Sequence, residues 1–546
     1  MRELTGGEAV YESLRALGVD TVFGIVSVHN IPIYDGILRG GGITPISVRH
    51  EQGALHAADG YARATGRLGV AITSTGPGAT NSMTGLFEAA FASSAVLMIT
   101  GQIDSAYYGK GKGFLHEAES QLPMLRTIVR RAESVRRPEE IGEALFRVAS
   151  DIMTGRHQPG AIEIPVDFQY ARAAIDVPAV EGWPRVRPDR DALERAATLL
   201  RGAERPLIWS GGGVVSADAG DALISLAEAL NAPVLTSTTG RGAISEDHPL
   251  AMGPLPQQPQ FTEVIEGADV VLAVGTRFQG GATRNWDVKI PGKLIHLDAD
   301  PAVIGRNYTP AVTVVGDAGL GLAELLRALG GRTASDPAFT ERARTIRDGV
   351  RSHIRDQIGP DYSAIMDSMR TLLPRDSCIV RDATVPAYLW GNRLIPILAP
   401  RTSIHSTSAA IGPGLPLAIG AAIGSGKKTA LIQGDGGFML NIGELATAVQ
   451  HNVPIIVCLF NDRGYGVLRS IQSTTFEGRQ TGVDLATPDF AAVARAMGMH
   501  GETVQSAAEF HDAFARAVAA EGPVLLDIDM AALVPMGGLG GGQRRT

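Results

Sequence analysis

The sequence predicts an α/β protein of three domains, each built on a parallel sheet, and three observations carry that prediction. Short apolar runs rich in β-branched residues alternate with helical stretches along the whole chain, as strands buried on both faces do. The chain has 546 residues, more than one hydrophobic core holds. The alternation breaks twice, at the polar, proline-containing stretch 177–190 and at 330–336, which leads into a charged helix at 341–357.

In chain order, the N-terminal residues begin an amphipathic helix. Strands follow at 21–24, 44–49, 70–73, 95–100 and 160–165, with helices at 52–65 and 80–92. The second block has strands at 206–210, 233–237, 269–274 and 293–298, and the third has them at 378–381, 429–433, 454–460 and 523–529. A helix at 441–451 follows the second strand of the third block. These blocks bound domains at 1–175, 190–335 and 360–535. The glycine-rich, basic tail 536–546 is expected to be mobile. No repeat of fixed period is visible.

Bulk chemistry narrows the function. Hydrophobic residues make up 45% and charged residues 19%, an ordinary globular balance, and the net charge of −8 offers no footprint for nucleic acid or an anionic membrane. No apolar run approaches the roughly 18 residues of a membrane span. The acidic N-terminus is unlike a signal peptide. Cys378 and Cys458 are far apart and match no metal or disulfide framework, so a reducing cytoplasm is the expected location.

The most specific chemistry lies near the C-terminus. Gly434-Asp435-Gly436-Gly437 follows an apolar strand and opens a helix. Glycines there let backbone N–H groups approach an anion, which the helix N-terminus favours. Asp435 could hold a divalent cation against a bound phosphate. The next strand ends in Asn461-Asp462-Arg463-Gly464-Tyr465-Gly466, so both turns lie at one edge of adjacent strands, where open α/β sheets bind ligands. Oxygen donors at both turns suit Mg²⁺.

A GDG turn followed about thirty residues later by an Asn-Asn or Asn-Asp pair resembles the thiamin diphosphate signature. From Gly434 to Gly466 the chain resembles the acetolactate synthase, benzoylformate decarboxylase and pyruvate decarboxylase superfamily. The resemblance implies a metal held by Asp435, Asp462 and the Gly464 carbonyl, with Gly436, Gly437 and Thr384 beside the cofactor. Most members carry Asn where Asp462 stands, which keeps an oxygen ligand without the charge. The segment 408–416 resembles the part that grips the cofactor's middle. There Ile411 would bend it into a V and the Ala409 carbonyl would accept from its 4′-amino group.

Upstream, Arg49-His50-Glu51-Gln52-Gly53 and Ala57-Ala58-Asp59-Gly60-Tyr61-Ala62-Arg63 resemble the family's activating-glutamate motif. The resemblance implies that Glu51 bonds the pyrimidine N1′ and favours the imino tautomer. That tautomer removes the C2 proton and gives a carbanion, and later an enamine. Burial would leave Glu51 protonated near neutral pH. Thr73–Asn81 lacks G-x-G-x-x-G, and 424–429 has neither the spacing nor the placement of a P-loop.

On the substrate side, His29 aligns with a histidine of benzaldehyde lyase. His116 falls where acetolactate synthases carry Gln and pyruvate decarboxylases carry His. Gln102 matches a family glutamine near the cofactor. A pair of imidazoles can relay protons. Val28, Phe114, Val467 and Leu468 are expected to line the substrate pocket. Gly211-Gly212-Gly213 could be a nucleotide turn, but the methionine- and glycine-rich stretch associated with FAD-binding relatives is missing, so FAD is the minority expectation.

The resemblance covers nearly the whole chain, in the order pyrimidine-binding, central and diphosphate-binding domain. It implies a homodimer or homotetramer with each site between subunits. It implies non-oxidative decarboxylation of a 2-oxo acid, with or without carboligation. A lyase or hydrolase acting on a 2-hydroxy ketone, a diketone or a 2-hydroxyacyl thioester is the alternative. A non-catalytic binding protein is disfavoured by Glu51 and both metal turns.

Overall fold

The computed structural model describes residues 2–331 and 335–537. Among them are three six-stranded parallel sheets, each covered by helices on both faces. The central strands are buried along nearly their whole length, as expected of parallel strands that read as continuous apolar runs.

The first sheet runs Thr44–Ser47, Thr21–Gly24, Gly69–Thr73, Val96–Gln102, Gly160–Pro165, Arg131–Ser134. The third runs Ser403–His405, Cys378–Arg381, Thr429–Gly434, Ile455–Asn461, Val524–Asp529, His500–Val504. Numbered within each sheet, both orders are 2-1-3-4-6-5, so the two share a topology that no sequence period reveals. Each reverses winding between its first and third strands, and the loops leaving those strands form a crevice. The middle sheet instead runs Ala251–Gly253, Val234–Thr236, Pro206–Ser210, Val270–Val274, Lys293–Asp298, Val312–Val315.

The first and third units meet through two helices, Glu51–Thr65 and Gly414–Ser425. Glycine sets their approach, because a Cβ at Gly60 would overlap the Leu417 carbonyl and one at Gly420 the Ala57 carbonyl.

Several boundaries differ from expectation. Strand Arg2–Thr5 precedes the first helix and pairs antiparallel with Arg172–Ile175. The helix expected at 80–92 is two, Pro77–Asn81 and Met83–Ala92. The one expected at 441–451 is Asp435–Phe438 and then Glu444–Gln450. The charged helix runs over Pro337–Leu372 and breaks at Gly359 (φ 76°), where the following Pro360 cannot continue the hydrogen-bond ladder. Of the tail 536–546, positions 538–546 lie outside the described residues. Its start is held, since Gly537 N–H donates to the Gln357 carbonyl at 2.7 Å.

Candidate active site

The strand-end turns of the third unit build an acidic cradle. Asp435 is fully buried at the start of its short helix. Its Oδ2 accepts from Gly464 N–H at 2.8 Å, while its Oδ1 is buried without a partner. Burial first, and then the neighbouring Asp462 charge, push its pKa up to about 7. Asp462 is itself raised by burial, against the pull of Arg469, whose Nη1 lies 3.3 Å from Oδ2. Two crowded carboxylates with an orphaned oxygen make a site short of positive charge.

Glycine keeps the cradle open. A Cβ at Gly436 would overlap the Tyr465 ring edge at 2.6 Å and sit 3.3 Å from the Gly464 carbonyl, and one at Gly437 would lie 3.5 Å from Ile411 Cβ. Thr384 is buried against Gly434. Asp435, Asp462, Gly464, Gly436, Gly437, Thr384 and Ile411 therefore share one crevice. Among the described residues no group of three or more His, Cys, Asp or Glu forms a metal cage. The donors are hard oxygens on one side only, so a cation here needs further oxygens from a ligand, as the phosphates of a diphosphate supply.

Asp382 was not anticipated from the sequence. Fully buried at the end of Cys378–Arg381, it accepts from Gly412 N–H (2.9 Å), Gly414 N–H (3.3 Å) and Gln433 Nε2 (2.5 Å). It thereby fixes the segment that presents Ala409, at a left-handed φ of 62°, and the exposed Ile411. A non-glycine residue held at positive φ beside a crevice is strain of the kind that collects at ligand sites. Its position after a strand, one over from the GDG turn, was the signal available.

The second cluster lies in the crevice of the first sheet. Ser74 Oγ sits 3.4 Å from Nδ1 of both His29 and His116, and the two rings are 5.0 Å apart. His29 is buried, and burial and then the His116 charge lower its pKa, which favours the neutral ring. His116 is held at φ 63°. Its carbonyl lies 2.5 Å from where a Cβ at Gly76 would stand, so this loop crossing requires glycine.

Glu51 is half-buried at the start of its helix, where Asn81 Nδ2 donates to its Oε2 at 3.0 Å. The burial expected of it is incomplete within one chain, because helix N-termini project from the sheet edge. Gln102 stands behind the same crevice. It is fully buried, with Nε2 donating to Glu163 Oε2 (3.1 Å) and Oε1 accepting from Ile103 N–H (2.8 Å). With Gln121, whose Oε1 accepts from Gly76 N–H at 2.8 Å, it supports the Thr75–Gly76 turn from behind.

Of the expected pocket residues, Val28 and Leu468 are exposed, while Phe114 and Val467 are half-buried, Phe114 against Tyr107. A cavity of about 730 Å³ lies elsewhere, between the three units, beside Gly212 and Gly213. The glycines of that turn have a packing reason, since a Cβ on Gly211 or Gly213 would overlap the backbone of Gly275.

One crevice thus gathers an acidic pair beside glycine-bearing turns, and the other a carboxylate with an imidazole pair. Three families of known proteins match in the same order. The thiamine pyrophosphate enzyme N-terminal TPP binding domain matches residues 4–124, the central domain 193–327 and the C-terminal TPP binding domain 386–528. A probable acetolactate synthase large subunit of Methanocaldococcus jannaschii is 33% identical over 98% of this chain and 93% of its own length. A probable 2-ketoarginine decarboxylase of Pseudomonas aeruginosa is 37% identical over 91% and 89%. The acetolactate synthase large subunit of Parasynechococcus marenigrum is 32% identical over 96% and 87%. Among the described residues no helix is long and apolar enough to cross a membrane. With all three parts of the family present in order and relatives matching almost end to end, the chain belongs to the acetolactate synthase-like thiamine pyrophosphate enzymes.

Proposed function

We propose that this protein is a thiamin diphosphate- and Mg²⁺-dependent enzyme. It releases carbon dioxide from a 2-oxo acid without oxidation, then passes the acyl unit to a proton or to a second carbonyl. The observation that carries the reading is the Asp435–Asp462 pair with its orphaned Oδ1, placed where the C-terminal TPP binding domain is matched. Relatives named for acetolactate synthesis and 2-ketoarginine decarboxylation support the reaction class.

The bound cofactor would supply a nucleophilic carbon and, in the cationic ring that bears it, an electron sink. Around it, Asp435, Asp462 and the Gly464 carbonyl would hold Mg²⁺, and the Gly436 and Gly437 amides would meet the diphosphate. Ile411 and the Ala409 carbonyl would orient the cofactor's middle, and Glu51 would hold the proton at the pyrimidine N1′. His29 and His116, joined through Ser74, would move a proton to or from the substrate oxygen or the nascent product. Val28, Phe114, Val467 and Leu468 would face the substrate.

Glu51 and Asp435 would serve one cofactor from two chains, so a homodimer is the minimal active unit and a homotetramer two of them. Domain limits of 1–175, 190–335 and 360–535 accompany this reading. The two free, buried thiols, Cys378 and Cys458, suit a reducing cytoplasm.

The test is a substrate panel on enzyme dialysed free of cofactor and metal. Carbon dioxide release from an aliphatic, aromatic or guanidino 2-oxo acid is expected only when both are resupplied. The histidine pair, with His116 where acetolactate synthases carry Gln, favours a second reading, cleavage of a 2-hydroxy ketone, diketone or 2-hydroxyacyl thioester. Aldehyde release from such compounds, with no carbon dioxide from any 2-oxo acid, would establish that reading instead.

A further inference from the structure

The two crevices are joined within one chain by a pair of buried carboxylates, each crossing to the other side. Glu444 opens the helix Glu444–Gln450 just past the GDG turn and is 1% exposed. Its Oε1 accepts from Arg49 N–H at 3.0 Å and His50 N–H at 3.1 Å, and its Oε2 accepts from Thr447 Oγ1 at 2.6 Å. The amides it holds belong to the two residues directly before Glu51. In the opposite direction, the fully buried Glu88 of the first unit accepts from Thr407 N–H (2.6 Å), Thr407 Oγ1 (2.6 Å) and Ser408 N–H (3.0 Å), directly before Ala409.

More than one contact supports the Glu444 clamp. Ser47 N–H donates to His451 Nε2 at 3.1 Å and Arg49 Nη2 to Gln450 Oε1 at 2.6 Å, so one short helix grips the turn from Ser47 to His50. Gly53 lies directly over the carboxylate, and a Cβ there would overlap Glu444 Oε1. At the helix's other end, Glu444 N–H donates to the Asn441 carbonyl at 2.9 Å, and Asn441 Nδ2 donates to the Gly412 carbonyl at 2.9 Å, next to Ile411. A continuous path of hydrogen bonds runs from the cofactor-gripping segment to the helix start that bears Glu51.

We propose that Glu444 is a positioning residue for Glu51. It fixes the height and direction of that carboxylate through the Arg49 and His50 amides and ties it to the chain's own diphosphate crevice. No group on Glu444 reaches the cofactor; its effect passes through Glu51. This rests on the reading that Glu51 activates bound thiamin diphosphate. A carboxylate accepting two backbone amides gives stronger bonds than a neutral oxygen, and loss of such an anchor lets the helix start drift. Misplacement of a catalytic group by about 1 Å can cost on the order of 100-fold.

The readout is the rate at which the C2 proton of bound thiamin diphosphate exchanges for deuterium, measured by quenched-flow NMR at saturating cofactor and Mg²⁺ without substrate. Glu444→Ala is expected to slow exchange by about 100-fold while binding cofactor within a few-fold of the parent. Glu444→Gln keeps an oxygen for both amides and an N–H for Thr447, and is expected to restore most of the rate. Gly53→Ala, which pushes the carboxylate aside without removing it, is expected to slow exchange too and serves if Glu444→Ala does not fold. Parental exchange in folded Glu444→Ala, or in Gly53→Ala, would overturn the proposal, as would a Glu444→Gln enzyme as slow as Glu444→Ala. The control is Glu51→Gln. If that variant exchanged at the parental rate, the activation reading itself would fail, a separable result.

Discussion

His56 lies on the helix that carries Glu51, and both of its ring nitrogens are buried without a partner. Burial lowers its pKa to about 4, with the nearby Glu88 opposing and Arg63 adding to the fall. The folded value is below the unfolded one of about 6.5, so the unfolded chain binds the proton first as pH falls. Stability from this residue is complete above the unfolded value and is lost from there down through the folded value. Between pH 7 and pH 5 the loss is about 2 kcal/mol. His56→Leu should remove that part of the acid sensitivity, seen as denaturant midpoints that fall less between pH 7 and 5 than those of the parent. An equal fall in both proteins would show that His56 does not set it. The acidic pair gives a second prediction at this scale. Asp462→Asn keeps an oxygen toward the cation and should weaken Mg²⁺ dependence by no more than about tenfold. Asp435→Asn removes the central carboxylate and should abolish cofactor retention on gel filtration. Equal losses in both would argue against the roles given to them.

At the scale of elements, the helix pair Glu51–Thr65 and Gly414–Ser425 fixes how the two crevices face. Both helices approach through glycine, and at Gly420 any Cβ meets the Ala57 carbonyl, which is backbone and cannot swing away. Gly420→Ala should therefore cost about 3 kcal/mol, at the upper end of ordinary overpacking, and be visible as a lower urea midpoint. An unchanged midpoint would mean the helices separate freely. Such crossings were not legible in the sequence, because a glycine that serves a partner hundreds of residues away has no local signature. The central strands were legible, since Val96–Gln102 and Ile455–Asn461 are buried on both faces and declare it in composition. Edge strands such as Ala251–Gly253, Ser403–His405 and His500–Val504 were not, because they are short and defined by their hydrogen-bonding neighbour. The same division holds in the candidate site. Asp435 and Gly464 announce themselves through glycine-bearing turns after apolar strands, whereas Asp382, Glu88 and Glu444 act through contacts that only the folded chain creates.

For the whole molecule, the decisive feature is that one chain assembles two crevices of equal topology carrying different chemistry. The clamps of Glu88 and Glu444 bind these crevices to each other within the chain, through backbone just ahead of the site residues. Glu51 stays half-exposed on its side, and Ile411 stands 37% exposed on the other. Both surfaces would be covered if two chains met with a two-fold axis between them, the first crevice of one against the third crevice of its partner. A C2 arrangement makes two such sites at once. Complementation follows from that geometry. Glu51→Gln and Asp435→Asn chains should each be inactive alone. In a mixed dimer, one site takes Glu51 from the second variant and Asp435 from the first and is intact, while the other carries both changes. Random pairing of equal amounts makes half the dimers mixed, each with one working site of two, so co-expressed chains should regain about a quarter of parental activity. If each chain instead completed its own site, mixing would regain nothing, and the activity of the co-expressed sample would decide between the two architectures.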